Sequence, residues 1–125
     1  MTTIETVDAW EVLDSRGHPT VRARVSTGTA RGTFTVPAGA STGTYEAVER
    51  RDGEDRYRGL GVREAVASVE TELASLVTGR DVTAQADLDA ALVEYDGTEN
   101  LSSVGANAIL AVSGAVAHAG AAATD

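Results

Sequence analysis

The sequence predicts an α+β domain, with a three-stranded antiparallel meander followed by three helices. Three observations carry that prediction. Apolar and polar residues alternate in short stretches before residue 37, and apolar residues recur at spacings of three and four after Gly61. A run without period, bearing glycines at 39, 43, 53, 59 and 61, separates the two regimes. A chain of 125 residues fits one domain of this kind.

Residues 3–13 alternate loosely, with Ile4, Val7, Trp10 and Val12 among polar neighbours, and read as the first strand. Asp14-Ser15-Arg16-Gly17-His18-Pro19 breaks the pattern, because Gly and Pro two residues apart do not fit inside a regular element. Thr20–Thr27 alternates cleanly, Val21, Ala23 and Val25 against Arg22 and Arg24, as a half-buried strand does. Gly28 and Thr29 suit a hairpin turn, and Thr33–Val36 reads as the third strand. The loop from Pro37 to Gly61 is too long for a mere connection in a compact domain, which marks it as functional.

The first helix is predicted from Val62, Ala65, Val66, Val69, Leu73, Leu76 and Val77, and ends at Gly79. Thr83 is the expected N-cap of a second helix with Leu88, Ala91, Leu92 and Tyr95 on its apolar face, closed by Asp96-Gly97. After a loop over 98–105, a third helix runs from about Ala106 to Ala123. That helix is apolar most of the way round, so it is expected either at the centre of the domain or against another domain or chain.

Composition narrows the function classes. The hydrophobic fraction of 42% supplies a core, and with one Phe and one Trp that core must be built from Val, Leu, Ile and Ala, without large pockets. The chain has no Cys, which excludes disulfides and thiolate chemistry. Neither a signal peptide nor a stretch approaching the roughly 20 apolar residues of a membrane span is evident, so a cytoplasmic location is expected. Ten Arg, no Lys and nineteen acidic residues give a net charge of −9. Nucleic acid and anionic membranes are therefore not expected partners. Arginine-only basicity with abundant Ala and acid fits a GC-rich genome or a salt-adapted source equally well.

Three segments read together resemble the amino-terminal domain of enolases. They are Leu13-Asp14-Ser15-Arg16-Gly17-His18-Pro19-Thr20-Val21, then Val36-Pro37-Ala38-Gly39-Ala40-Ser41-Thr42-Gly43-Thr44-Tyr45-Glu46-Ala47, and finally Asp96-Gly97-Thr98-Glu99-Asn100 followed by Gly105-Ala106-Asn107-Ala108-Ile109-Leu110. Arg51-Asp52-Gly53 and Tyr57-Arg58-Gly59-Leu60-Gly61-Val62 fall between them at family-like spacing. The likeness covers essentially the whole chain, in order.

The resemblance implies an α+β cap beside a catalytic barrel, in an enzyme that interconverts 2-phosphoglycerate and phosphoenolpyruvate with two Mg²⁺ ions. Enolases take the first ion's carboxylates, the base Lys and the assisting Glu from the barrel. A barrel needs about 250 residues. The expectation is therefore one enolase N-terminal-like domain over residues 1–125, with the barrel absent and no catalytic residue in this chain. The lid loop Gly39, Ala40, Ser41, Thr42 and Gly43 is the cap's own contribution. By resemblance, Ser41 binds the second Mg²⁺ through its hydroxyl and carbonyl when the loop closes, with the glycines allowing that swing. Mg²⁺ is accordingly expected only in complex with a barrel, supplied in trans or missing from the chain. The same Gly/Ser/Thr run, taken alone, also reads as a simple turn.

Other candidates divide similarly. Arg16 and His18 either face phosphate or carboxylate at the active-site mouth or belong to a turn that satisfies its own backbone. His18 stands where enolases usually carry Asn, so an imidazole replaces a neutral amide there. His118, on the last helix, reads as a packed or rim histidine, and Asp87/Asp89 and Glu54/Asp55 read as surface. Asn100-Leu101-Ser102 matches a glycosylation sequon and carries no weight without a secretion signal. Against the family pattern, Arg22 and Arg24 replace acidic strand residues and Trp10 an Arg, which puts the usual enolase dimer contact in doubt. Ala38, Leu60, Leu101, Ser103 and Ala111 are smaller departures.

Two functions stand open: a cap working with a barrel as a Mg²⁺-dependent lyase, or a free-standing enolase-like module for binding or regulation. A truncated product without a role is a third possibility. An independent phosphate-binding enzyme is disfavoured, since neither GxxxxGK nor GxGxxG occurs.

Overall fold

Period-two alternation produces three antiparallel strands paired in chain order, β1 (Thr6–Leu13), β2 (Pro19–Ser26) and β3 (Arg31–Thr35). The computed structural model describes residues 2–37 and 48–124. Val7 lies opposite Val25 and Leu13 opposite Pro19, while Ala23 lies opposite Phe34. This register turns Val21, Ala23 and Val25 to one face, where all three are fully buried. The second turn is held by the Thr27 hydroxyl oxygen, which accepts the Thr29 and Ala30 N–H groups at 3.2 and 2.9 Å.

The strand limits differ from the sequence expectation at both ends. The first strand begins at Thr6 rather than residue 3, because the preceding residues pair elsewhere. Ile4 donates to the Arg80 carbonyl at 2.9 Å, and its own carbonyl accepts from Gly79 at 2.9 Å. Val82 donates to Thr2 at 2.8 Å, and Thr3 bridges Asp81. The third strand is Arg31–Thr35, earlier than Thr33–Val36, since the turn before it is tighter than its composition suggests.

The predicted first helix is continuous but not uniform: α1 (Arg63–Ser68) passes through a π-helical turn at Val69–Leu73 into α2 (Ala74–Val77). Its fully buried residues Ala65, Val69, Leu73 and Val77 follow one another at steps of four. In a regular α-helix each such step drifts by about 40° around the axis. A wider turn corrects the drift and keeps the stripe on the core. Asp52 caps this helix from a distance, its two carboxylate oxygens accepting the Arg63 and Glu64 N–H groups at 3.0 Å each.

The second predicted helix is α3 (Gln85–Asp96), ended at Gly97 as expected. Thr83 is not its N-cap. Ala84 holds that position without a side-chain bond, and the Thr83 hydroxyl donates instead to Asp81 at 2.7 Å. Leu88 and Leu92 are buried as predicted, whereas Tyr95 is 46% exposed and donates to Glu72 at 3.0 Å.

The last helix, α4 (Ala106–Ala123), lies across β2 and β3 with Ala108, Ala111, Val112, Ala115, Val116 and Ala119 buried against them. It is central to the domain, yet Leu110 stays 45% exposed, so one side is uncovered. With 18 residues and mean hydropathy 1.4 it has the length and composition to cross a membrane, which corrects the expectation that no stretch approaches that length. Its buried face is the domain's core. His118 is a rim residue, exposed and stacked on Phe34 with ring centroids 6.0 Å apart.

The sheet and α4 touch through glycines on both sides. A Cβ on Gly32 would collide with the backbone of Ala115, His118 and Ala119, and one on Gly114 would enter the Phe34 ring. Backbone cannot yield as a side-chain tip can. Gly32→Ala should therefore destabilise the domain by about 3 kcal/mol and lower its melting temperature by roughly 10 °C, read by thermal and denaturant unfolding.

Candidate functional site: the anchored stems of residues 38–47

The lid residues Gly39, Ala40, Ser41, Thr42 and Gly43 lie outside the described residues, but both stems of that segment are described. On the incoming side, the Val36 N–H donates to the Val21 carbonyl at 3.0 Å, and the buried Thr20 hydroxyl donates to the Val36 carbonyl at 2.8 Å. The chain thus leaves β3 with its last peptide groups paired.

On the outgoing side the anchors come from the start of α4 and the loop before it. Val48 donates to the Asn100 carbonyl at 2.7 Å and accepts from Ala106 at 2.8 Å. Asn107, 2% exposed, accepts the Arg50 N–H at 2.9 Å and donates its amide N–H to the Arg50 carbonyl at 3.0 Å. One side chain therefore satisfies both peptide groups of a residue 57 positions earlier. Gly105 is required beside it: φ is +108°, and an added Cβ would stand 2.8 Å from Asn107 Oδ1 and 3.0 Å from Arg50 N.

Asp96 shapes the loop that presents these groups. Its buried carboxylate accepts the Ser103 and Val104 N–H groups at 3.0 and 3.1 Å and the Thr98 hydroxyl at 2.6 Å. Arg51 ties the next stretch down, donating to the Pro19 and Leu60 carbonyls at 2.6 and 2.7 Å. Arg56 forms a two-point ion pair with Glu11 of β1, and the second Glu11 oxygen also accepts the Val62 N–H at 2.8 Å. The Arg56 hydrogen bond, aided by the Val62 N–H and the nearby guanidinium charge, holds the Glu11 carboxyl below the usual glutamate range against the opposing effect of burial. The same bond raises Arg56.

Arg16 and His18 sit on the hairpin between β1 and β2, where one Asp14 oxygen accepts their backbone N–H groups at 2.8 and 3.0 Å. Those bonds lower the Asp14 carboxyl. The structure separates the two side chains. His18 lines a groove of about 260 Å³ with Gly17, Pro19, Tyr57, Arg58 and Leu60, whereas Arg16 is exposed and outside it.

Asp89 is more than surface, since it accepts the Ser113 hydroxyl at 2.7 Å and the Gln85 amide at 2.9 Å and so joins α3 to α4. Among the described residues no group of three or more His, Asp or Glu could hold a metal ion. The side chains named at these stems bind peptide groups and so position backbone. Sequence reasoning did not single out Glu11, Arg51, Asp52, Asp96 or Asn107 individually. Their usable signal was membership of the quoted segments, Arg51-Asp52-Gly53, Asp96–Asn100 and Gly105–Leu110, for four of them, and none for Glu11.

Two outcomes test the anchors. Asn107→Ala should speed amide hydrogen exchange at Arg50 by about tenfold or more while leaving the sheet amides protected, as expected when about 1.4 kcal/mol of local pairing is lost. For Glu11, a depressed folded pKa means stability present in full above the ordinary value of about 4.3 and lost as pH falls through the folded value. Glu11→Gln should cost about 2 kcal/mol at neutral pH. The gap from wild type should narrow in acid, measured by urea unfolding from pH 3 to 7.

Comparison with known proteins agrees with this construction. The family model described as enolase, N-terminal domain, matches residues 4–125. The enolase of Methanopyrus kandleri is 58% identical over 123 residues, 97% of this chain and 29% of that protein. The enolase of Acidothermus cellulolyticus is 55% identical over 127 residues, 100% of this chain and 29% of its own length, and that of Pyrococcus furiosus is 58% identical over 115 residues, 92% and 27%. The chain thus spans under a third of the curated relatives it matches. With motifs, fold and relatives in agreement, the chain belongs to the enolase N-terminal domain family.

Proposed function

We propose that this domain is the cap of a magnesium-dependent enolase that dehydrates 2-phosphoglycerate to phosphoenolpyruvate in the glycolytic direction, working in the cytoplasm beside a barrel. That barrel comes from another chain or from further residues of a longer one, and this domain contributes no catalytic acid or base. The observation that supports the reading is the double anchoring of residues 38–47: Thr20 fixes one stem and Asn107 the other. Stems held in this way limit where a short segment between them can reach, which is what placing Ser41 over a bound substrate demands.

Magnesium fits the donor set only in part. Ser41 offers a hydroxyl and a carbonyl, hard oxygens of the kind the ion takes, while the described residues add no carboxylate cluster to complete its shell. Ser41 would hold the ion from the cap side, and the remaining ligands would come from substrate, water and barrel. When bound, the ion supplies concentrated positive charge beside the substrate's anionic groups. The chain's own part is to carry Ser41 to that place and to exclude water with the surrounding loop.

A chimera tests this. Residues 1–125 would replace the matching segment of the Methanopyrus kandleri enolase, and formation of phosphoenolpyruvate from 2-phosphoglycerate would be followed with and without Mg²⁺. The expected result is Mg²⁺-dependent activity that falls about 100-fold in Ser41→Ala. A folded chimera without activity, or activity indifferent to Ser41→Ala, would overturn the cap reading and leave a binding or regulatory module.

A further inference from the structure

We propose that the groove between the β1–β2 hairpin and the Tyr57–Arg58 turn is a binding site for a small oxyanion, a phosphate or carboxylate group. It is independent of the cap reading. The groove holds about 260 Å³ and is lined by Gly17, His18, Pro19, Tyr57, Arg58 and Leu60. None of the six is acidic, in a chain with nineteen acidic residues and ten Arg. Its side-chain polar groups are a guanidinium, an imidazole and a phenol. Guanidinium offers donors alone, imidazole and phenol each offer one, and a set of that kind lining one groove suits an acceptor-rich anion.

The turn is built at a cost. Tyr57 and Arg58 both take left-handed backbone conformations, with φ of +51° and +56°, although neither is Gly, Asn or Asp. Two such residues in succession store strain of order 1–3 kcal/mol each, and strain of this kind persists only where the surroundings hold it. Here the surroundings are on the page. Arg58 donates its N–H to Asp55 at 3.0 Å, Leu60 donates to Tyr57 at 3.0 Å, and Gly53 donates to Gly59 at 3.2 Å. The Arg56 guanidinium, fixed by Glu11, lies 4.7 Å from the Tyr57 ring centroid and braces it.

The neighbouring charges are divided between structure and site. Arg51 and Arg56 are engaged with backbone carbonyls and with Glu49 and Glu11, while Arg58 forms no ion pair among the described residues. Asp14 shares the hairpin, but one of its oxygens already accepts the Arg16 and His18 N–H groups. A strained turn thus brings a guanidinium with no ion pair among the described residues, and a phenol, to the groove that His18 also lines. A plain connection between strand and helix would need none of these features.

The test is titration of the chain with sodium phosphate at fixed ionic strength and pH 7, followed by two-dimensional amide NMR with sodium chloride as control. Saturable shifts confined to Gly17, His18 and Tyr57–Leu60 are expected. Arg58→Asn removes the cation with a residue that tolerates left-handed backbone, and should weaken binding by about tenfold or more. His18→Asn leaves the turn alone and should weaken it by about fivefold. Citrate in place of phosphate separates a carboxylate preference from a phosphate one. Shifts that rise linearly and spread over the other arginines, or a saturable site unchanged in both variants, would overturn the proposal.

Discussion

The fold depends on one close approach, the laying of α4 directly against β3. Gly32 opens the sheet side, where its backbone meets that of Ala115, His118 and Ala119, and Gly114 opens the helix side to the Phe34 ring. The consequence runs through the whole core. With so little space between layers, the interior is filled by Val and Ala at 21, 23, 25, 108, 111, 112, 115 and 116, and the single Phe lies in the niche that Gly114 leaves. A core of small side chains is close-packed but supplies less apolar area per residue than one of large ones. It leaves a correspondingly larger share of the organisation to polar groups.

Those polar groups act where regular structure stops. The segment from Val48 to Gly61 has no ladder of its own, and its peptide groups are paired by side chains and backbone from distant elements: Asn107 at Arg50, Asn100 and Ala106 at Val48, and Gly61 at Asp52. Asp52 in turn caps α1, and Glu11 reaches Val62 and Arg56 together. Irregular backbone pressed against a core must find such partners or forfeit the free energy of its buried N–H and C=O groups. The result is a long loop whose stems are paired to the strands and helices around them.

How much of this was legible beforehand follows from whether the physics is local. β2 and α4 were readable because their burial pattern is periodic within a dozen or so residues. The start of β1 was not, since Ile4 is apolar in either setting and its pairing with Gly79 and Arg80 spans the chain. Thr83 was misassigned as a cap because Asp81, two residues earlier, competes for its hydroxyl. The π turn was hidden in plain sight, as a stripe stepping by four. His18 was singled out in the sequence, whereas Tyr57 and Arg58, which line the same groove, were not, because nothing in composition reports a left-handed backbone at non-glycine residues.

The motifs that identify the family do unequal kinds of work, and that bears on what they license. Asp14 holds a hairpin, Asp96 holds a loop, and Asn107 with Gly105 holds a stem. Each binds backbone of its own domain, so each would be needed by any protein with this fold, active or not. Residues whose role is to satisfy peptide groups testify to architecture. Of the three motifs, the segment containing Ser41 is the one on which the proposed magnesium role rests. Evidence for an inherited activity therefore concentrates on that one stretch, and agreement elsewhere along the chain, however extensive, adds to the case for the fold alone.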